Sequence, residues 1–81
     1  MTDEPSELIR AAVEARGWSH TDLARACRDA GLTVSRQGVT RWGQPGVVPA
    51  ELARSTIARV LGLDYEAFNA ACRAALMRRV A

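Results

Sequence analysis

Three polar residues, Arg36, Gln37 and Arg41, lie close together in the stretch TVSRQGVTRW, residues 33–42. In a short helix beginning at Arg36 they would take the first, second and sixth positions and face one way. An arginine guanidinium can bind O6 and N7 of a guanine, and a glutamine amide can bind N6 and N7 of an adenine. The stretch therefore predicts a helix that reads base edges in the major groove of DNA.

The other residues of this helix divide between two faces. Val39 and Trp42 are apolar and three residues apart, so we expect them to brace the helix on the domain, with Thr40 left outside. Gly38 costs roughly 1 kcal/mol of helix propensity relative to alanine. Either its bare backbone allows a close approach to DNA or to a thymine methyl, or it is tolerated in a helix held by tertiary contacts. Both interpretations stay open.

The segments around this helix carry clear start and stop signals. Ser19 is the expected N-cap of the preceding helix, and Asp22 three residues later completes a capping box. Ser35 is the expected N-cap of the helix described above, and Gly31 suits the turn between the two. Two short, separately capped helices joined by a glycine-containing turn are typical of a helix-turn-helix, here at about residues 19–43.

Three more helices are expected. The first covers about residues 6–16, the fourth begins near Pro49, and the C-terminal one covers about residues 65–79 with Asp64 as N-cap. The expected apolar face of the fourth helix consists of Leu52, Ala53, Ile57, Val60 and Leu61. No segment alternates with period two, so no sheet is predicted. The prediction is all-α: a compact bundle of about five short helices.

Three segments together resemble a known family. They are WSHTDLA (residues 18–24), VSxxxVTxW (residues 34–42) and IAxxLG (residues 57–62). In this order and spacing they resemble the Cro/CI-type (XRE) helix-turn-helix family, the lambda-repressor-like DNA-binding domain, over about residues 6–68. The resemblance implies a five-helix domain that binds operator DNA, usually as a symmetric dimer. It places the base-reading positions on Arg36, Gln37 and Arg41, and a phosphate-contacting position, which usually holds glutamine, on His20.

These considerations give two sets of candidate DNA contacts. The predicted base-reading residues are Arg36, Gln37, Gly38, Thr40 and Arg41. The predicted phosphate-contacting residues are Ser19, His20, Arg25, Arg28, Ser35 and Arg54. His20 can donate when neutral and would do so better when charged, although it also fits an ordinary surface residue. The chain has about five more residues between Ala24 and Val34 than the family's turn, which should lengthen the second helix by a turn, through Arg25, Arg28 and Asp29.

Two further departures from the family concern the segment after the base-reading helix. Gly43 stands where the family often has a glutamate. The loop at residues 43–48 has no basic residue, although this loop often touches phosphate in the family. Backbone amides or Arg54 would have to supply that contact.

The C-terminal helix is rich in alanine. A tentative dimer surface consists of Phe68, Ala71, Ala75 and Leu76. A homodimer would set two base-reading helices about 34 Å apart on one face of DNA. The alternative is that this helix simply covers the core.

Composition limits the remaining possibilities. The chain has 81 residues, enough for a single domain at residues 1–81, and a net charge of +2. Arginines concentrate in residues 25–41 and near the end, which suggests a polyanionic partner, although such patches are often solvated faces. No apolar run approaches the roughly 18 residues of a membrane span, and the start, MTDEPSE, is acidic. We expect a protein of the bacterial cytoplasm without a membrane partner.

Chemistry other than binding finds little support. Cys27 and Cys72 are far apart and suit core packing, and His20 is the single histidine. No metal, cofactor or small-molecule ligand is therefore predicted. No nucleophile-base pair, carboxylate dyad or glycine-rich phosphate loop is evident, so an enzyme is not expected. We predict a sequence-specific transcription regulator, most simply a small phage- or plasmid-type repressor; the alternatives are an antitoxin with the same fold or a helical adaptor that does not bind DNA.

Overall fold

The computed structural model describes residues 4–80 and consists of five helices. Residues 1–3, which belong to the acidic first segment of the sequence, lie outside the described residues. The helices are α1 (Pro5–Ala15), α2 (His20–Asp29), α3 (Arg36–Trp42), α4 (Glu51–Leu61) and α5 (Tyr65–Val80). No strand occurs between residues 4 and 80. The all-α prediction with five helices is confirmed, and α2 extends to Asp29 as expected.

Local hydrogen bonds at the helix ends match the sequence signals. The Ser19 hydroxyl accepts from the Asp22 amide at 3.2 Å, and the Asp22 carboxylate accepts from the Ser19 amide at 2.8 Å. Ser35 Oγ accepts from the Gly38 amide at 3.1 Å, and Asp64 Oδ2 accepts from the Ala67 amide at 3.2 Å. All three predicted N-caps are therefore confirmed, and they fix where α2, α3 and α5 begin.

One hydrophobic core joins the five helices. α2 packs on α3 and α4, α1 packs on α3, α4 and α5, and α4 packs on α5. Leu23, Ile57 and Phe68 are among its largest fully buried side chains. Cys27 and Cys72 are also fully buried, as predicted, and burial raises the pKa of both thiols because the thiolate loses its hydration.

The beginning of α4 differs from the prediction. The helix starts at Glu51 rather than near Pro49, and Leu52, expected in the core, is 90% exposed. Arg54 takes the inward position instead and is only 6% exposed. Its Nε donates to the Pro49 carbonyl at 3.1 Å, and its Nη1 donates to Asn69 Oδ1 at 3.0 Å. The Pro49 carbonyl is thus engaged by a side chain, and the arginine ties the α3–α4 loop to α5.

The dimer surface predicted on α5 is wrong for three of its four residues. Phe68, Ala71 and Ala75 are buried within the protomer, so their side chains cannot form a contact surface with a second copy. Leu76 is 37% exposed and is the one member of the set that remains accessible. The alanine-rich helix therefore covers the core, which was the alternative interpretation.

The end of α5 is tied to two other parts of the chain. Arg78 Nη2 lies 2.6 Å from Glu4 Oε1, and Arg79 donates to the Gly46 carbonyl. The second contact reaches the loop that follows α3. Together with Arg54, it holds that loop against α5 and so helps to fix the C-terminal end of α3.

Candidate nucleic-acid interface

α3 has a buried face and an exposed face, as predicted. Val39 and Trp42 are buried in the core, whereas Arg36, Gln37 and Arg41 are exposed. Within residues 4–80, no hydrogen bond or ion pair engages the side chain of Arg36 or Arg41. The backbone of α3 is thus held by apolar packing while its cationic groups stay free to meet a ligand.

The exposed face of α3 forms a shallow depression that includes a residue missed by the sequence analysis. Arg36, Gln37, Thr40 and Arg41 line it together with Gln44. Gln44 lies just beyond the helix, but its amide donates to the Arg41 carbonyl at 3.0 Å and continues the helical turn. A signal was present in the sequence, because Gln44 follows Gln37 by seven residues and so returns to the same side.

A second, more enclosed depression of about 410 Å³ lies where α1, the start of α2 and the start of α3 meet. Ser19, His20 and Arg36 line it, so two predicted phosphate contacts and one predicted base contact are brought together here. Its remaining lining residues are Ile9, Arg10, Val13, Glu14, Trp18, Thr21, Leu23 and Val39. Apolar side chains provide much of the wall, and Arg10, His20 and Arg36 share the depression with one acid, Glu14.

Arg10 of α1 is the second residue that the sequence analysis missed. Its stem passes Gly43, where an added Cβ would lie 3.4 Å from Arg10 Cγ. Its side chain makes no hydrogen bond or ion pair with residues 4–80. In the sequence it was a lone base among acids, and no local pattern connects it to α3. Only the packing of α1 against α3 shows that Arg10 and Arg36 share one depression.

Thr40 connects α3 to α2 through its hydroxyl group. Thr40 Oγ1 donates to the Arg36 carbonyl at 2.9 Å and lies 2.9 Å from His20 Nδ1. Thr40 was predicted to read bases, but its hydroxyl is engaged within the protein. The predicted base contact through this hydroxyl would therefore require breaking contacts within the protein.

Four predicted phosphate contacts line neither depression: Arg25, Arg28, Ser35 and Arg54. Arg54 is buried, so that prediction is wrong: its guanidinium is already bound to Pro49 and Asn69. Arg25 and Arg28 are exposed, but neither lines a depression, and Arg28 is in the last turn of α2. Since α2 rises about 1.5 Å per residue, Arg28 is roughly 12 Å along the helix from His20.

The structure shows a reason for a glycine at position 38 that differs from both interpretations of the sequence. A Cβ at Gly38 would lie 3.0 Å from Val34 Cγ2 and 3.6 Å from Ser35 Oγ. The first distance is shorter than ordinary van der Waals contact, so an alanine would press on the half-buried Val34. Local packing within the first turn therefore disfavours a side chain at this position, whether or not DNA approaches it. Ser35, the predicted phosphate contact beside it, is exposed and uses its hydroxyl to cap α3.

Other kinds of site do not appear in the part of the chain that the structure describes. No group of three or more histidine, cysteine, aspartate or glutamate residues there is arranged to hold a metal ion. None of its helices combines the length and apolar character needed to cross a membrane. Comparison of the chain with protein-family models, curated proteins and solved structures found no match.

Proposed function

We propose that this protein is a sequence-specific double-stranded DNA-binding transcription regulator of the helix-turn-helix kind, most simply a small repressor. The observation that carries the proposal is that Arg36, Gln37 and Arg41 are exposed and have no partner within residues 4–80, on a helix anchored by Val39 and Trp42. Donors that discriminate bases need a fixed backbone behind them, because a mobile helix would lose entropy on binding. A short, rigid helix with a polar outer face meets both needs.

The neighbouring depression supports the same proposal, since base readers need phosphate contacts to set their register. Ser19 and His20 begin α2, whose first-turn amide groups and helix dipole favour an anion. Arg10 and Arg36 add positive charge beside them. In this arrangement α3 enters the major groove while the start of α2 lies against the sugar-phosphate backbone.

The proposed regulator acts by occupying its binding site on DNA. A protein bound across a promoter excludes polymerase without any chemical step, and a bacterial cytoplasm is the compartment in which such a regulator would meet its operator. The proposal includes a symmetric homodimer, because two copies would present two α3 helices to successive major grooves.

The dimer component has its own test. Leu52 and Met77, which are 90% and 71% exposed, are the most exposed large apolar side chains of the described residues. Sedimentation equilibrium of the wild type, Leu52→Glu and Met77→Glu would measure association. If the wild type is a dimer and one of these substitutions dissociates it, the substituted residue lies in the dimer interface. A wild type that is monomeric at high micromolar concentration contradicts the proposed dimer.

Selection of bound duplexes from a random DNA pool tests the whole proposal. We expect an enriched motif, and a palindromic motif if a symmetric dimer binds. Binding of the selected duplex should then weaken linearly on a log–log plot as salt rises, because phosphate contacts release counterions. An unenriched pool combined with no salt-sensitive binding would contradict the proposed function.

A further inference from the structure

The contact between Thr40 and His20 bears on which nitrogen of the His20 ring carries a proton. A hydroxyl has one proton, and Thr40 Oγ1 donates it to the Arg36 carbonyl, which can only accept. With that proton on the Arg36 carbonyl, the same oxygen, which lies 2.9 Å from His20 Nδ1, accepts there. In this arrangement a neutral His20 carries its proton on Nδ1, because the partner of a ring nitrogen sets which nitrogen is protonated.

This tautomer decides what the exposed edge of His20 can offer. In the neutral ring the other nitrogen, Nε2, has a lone pair and no proton. Within residues 4–80, Nε2 has no hydrogen-bond partner, and the side chain is exposed. A lone pair is repelled by a phosphate oxygen, whereas a protonated imidazole presents an Nε2–H donor and a positive charge. Only the protonated form can donate through Nε2 while Nδ1 also donates to Thr40.

We propose that Thr40 makes His20 a proton-dependent phosphate contact, so that DNA binding takes up a proton and strengthens as the pH falls. This inference rests on the proposed function and adds a form of regulation to the same site. Thr40 acts as a positioning residue in this scheme: it binds no DNA through its hydroxyl, but it determines which protonation state of His20 can.

The charges around His20 explain why proton uptake should accompany binding. Arg10 from α1 and Arg36 from α3 line the same depression and oppose a positive imidazole, as does the dipole at the start of α2. Glu14 from α1 favours it. Asp22 on α2 is engaged by Ser19. A phosphate placed beside His20 adds a nearby negative charge, and by linkage the proton and the DNA strengthen each other's binding.

The composition of the chain makes this effect measurable. His20 is the single histidine, so no other imidazole contributes to pH dependence in the range where imidazoles ordinarily titrate. The terminal amino group also titrates near neutral pH, but a variant of His20 retains that group and isolates its contribution.

The experiment compares dissociation constants at constant ionic strength from pH 6 to pH 8, using the selected duplex. The wild type should bind about tenfold tighter at pH 6 than at pH 8, the size of one charge-assisted hydrogen bond. His20→Gln, which donates at every pH, should be nearly flat. Thr40→Val should bind more tightly than the wild type at pH 8 and lose most of the pH dependence, because a released neutral His20 can adopt the Nε2–H tautomer. Thr40→Ser should retain the dependence.

A second measurement needs no DNA. The ¹⁵N chemical shifts of the neutral imidazole distinguish the two tautomers, and the free wild type should show Nδ1–H, whereas Thr40→Val should show a mixture or Nε2–H. An Nε2–H tautomer in the free wild type overturns the inference, as does an undiminished pH dependence in Thr40→Val. DNA binding that is absent for all variants at every pH overturns the proposed function as well, so the two failures are distinguishable.

Discussion

The first turns of α3 and α4 use arginine in opposite ways. In α3, the Ser35 hydroxyl caps the helix and Arg36 extends into solvent without a partner in residues 4–80. In α4, the N-cap is Ala50, which has no side-chain hydrogen bond, and Arg54 folds inward to the Pro49 carbonyl. The residue directly before α3 caps that helix with its side chain. The segment before α4 is held instead by the buried guanidinium of Arg54.

The difference shows what makes an arginine available to a ligand. Arg36 and Arg54 carry the same charge, and both were predicted to contact DNA. Arg54 is withdrawn because a carbonyl and an amide oxygen lie within reach of its planar, forked donors. Arg36 has no partner within residues 4–80, and Ser35, Val39 and Trp42 hold α3 without it. Local capping therefore leaves the side chain of Arg36 available to a ligand.

The largest expected effect is on the free energy of unfolding, and it distinguishes Arg54 from Leu52, its neighbour in the first turn of α4. Arg54→Ala should lower the free energy of unfolding by about 2–4 kcal/mol, because it leaves the buried Pro49 carbonyl and the half-buried Asn69 Oδ1 unpaired and opens a cavity. Leu52→Ala should change it by less than about 0.5 kcal/mol, since that side chain is already in water. Urea denaturation measures both.

Arg59 provides the matched control on the same helix. It is exposed and reaches only the Ala30 carbonyl, at 3.5 Å, so Arg59→Ala should cost less than about 0.5 kcal/mol. If Arg54→Ala is as mild as Arg59→Ala, the buried guanidinium does not hold the loop and the contrast between the two helices fails.

The second effect concerns DNA rather than folding. Arg36→Ala and Gln37→Ala should each weaken binding to the selected duplex by about 1–3 kcal/mol and reduce its preference over a scrambled duplex. Their unfolding free energies should stay within about 0.5 kcal/mol of the wild type, because both side chains are exposed. Arg10→Ala should instead weaken both duplexes alike and lower the salt dependence, as expected of a phosphate contact. Equal losses on both duplexes for Arg36→Ala would contradict base reading.

The sequence predicted the parts of this fold that depend on near neighbours. The cap at Ser19, its partner Asp22, and the cap at Ser35 act over three residues, so their spacing alone carries the information. The depressions depend on packing between distant segments. The His20–Thr40 contact joins residues 20 apart, and the Arg54–Asn69 contact joins residues 15 apart. No periodicity reports such pairs, because each residue fits a surface position equally well.

A smaller effect tests why the first turn of α3 contains a glycine. Gly38→Ala should gain helix propensity of about 1 kcal/mol but lose much of it by pressing on Val34. The same substitution in a Val34→Ala background should recover most of that gain, because the Cγ2 atom is absent. Denaturation of the four proteins gives the coupling. Equal effects of Gly38→Ala in both backgrounds would show that Val34 does not oppose a side chain at this position.

The smallest effect comes from the first turn of α2, which has the reciprocal cap that α4 lacks. The hydrogen bond from the Ser19 amide, followed by that from its hydroxyl, lowers the pKa of Asp22 below its usual 3.8. A carboxylate with a lowered pKa adds stability that is fully present above the unfolded-state pKa and is lost as the pH falls through the folded-state value. Asp22→Asn keeps an acceptor but removes the charge. The wild type should therefore be the more stable at pH 7, and its advantage should shrink below about pH 4. An advantage that stays constant down to pH 2 would mean that the charge of Asp22 does not stabilise the turn.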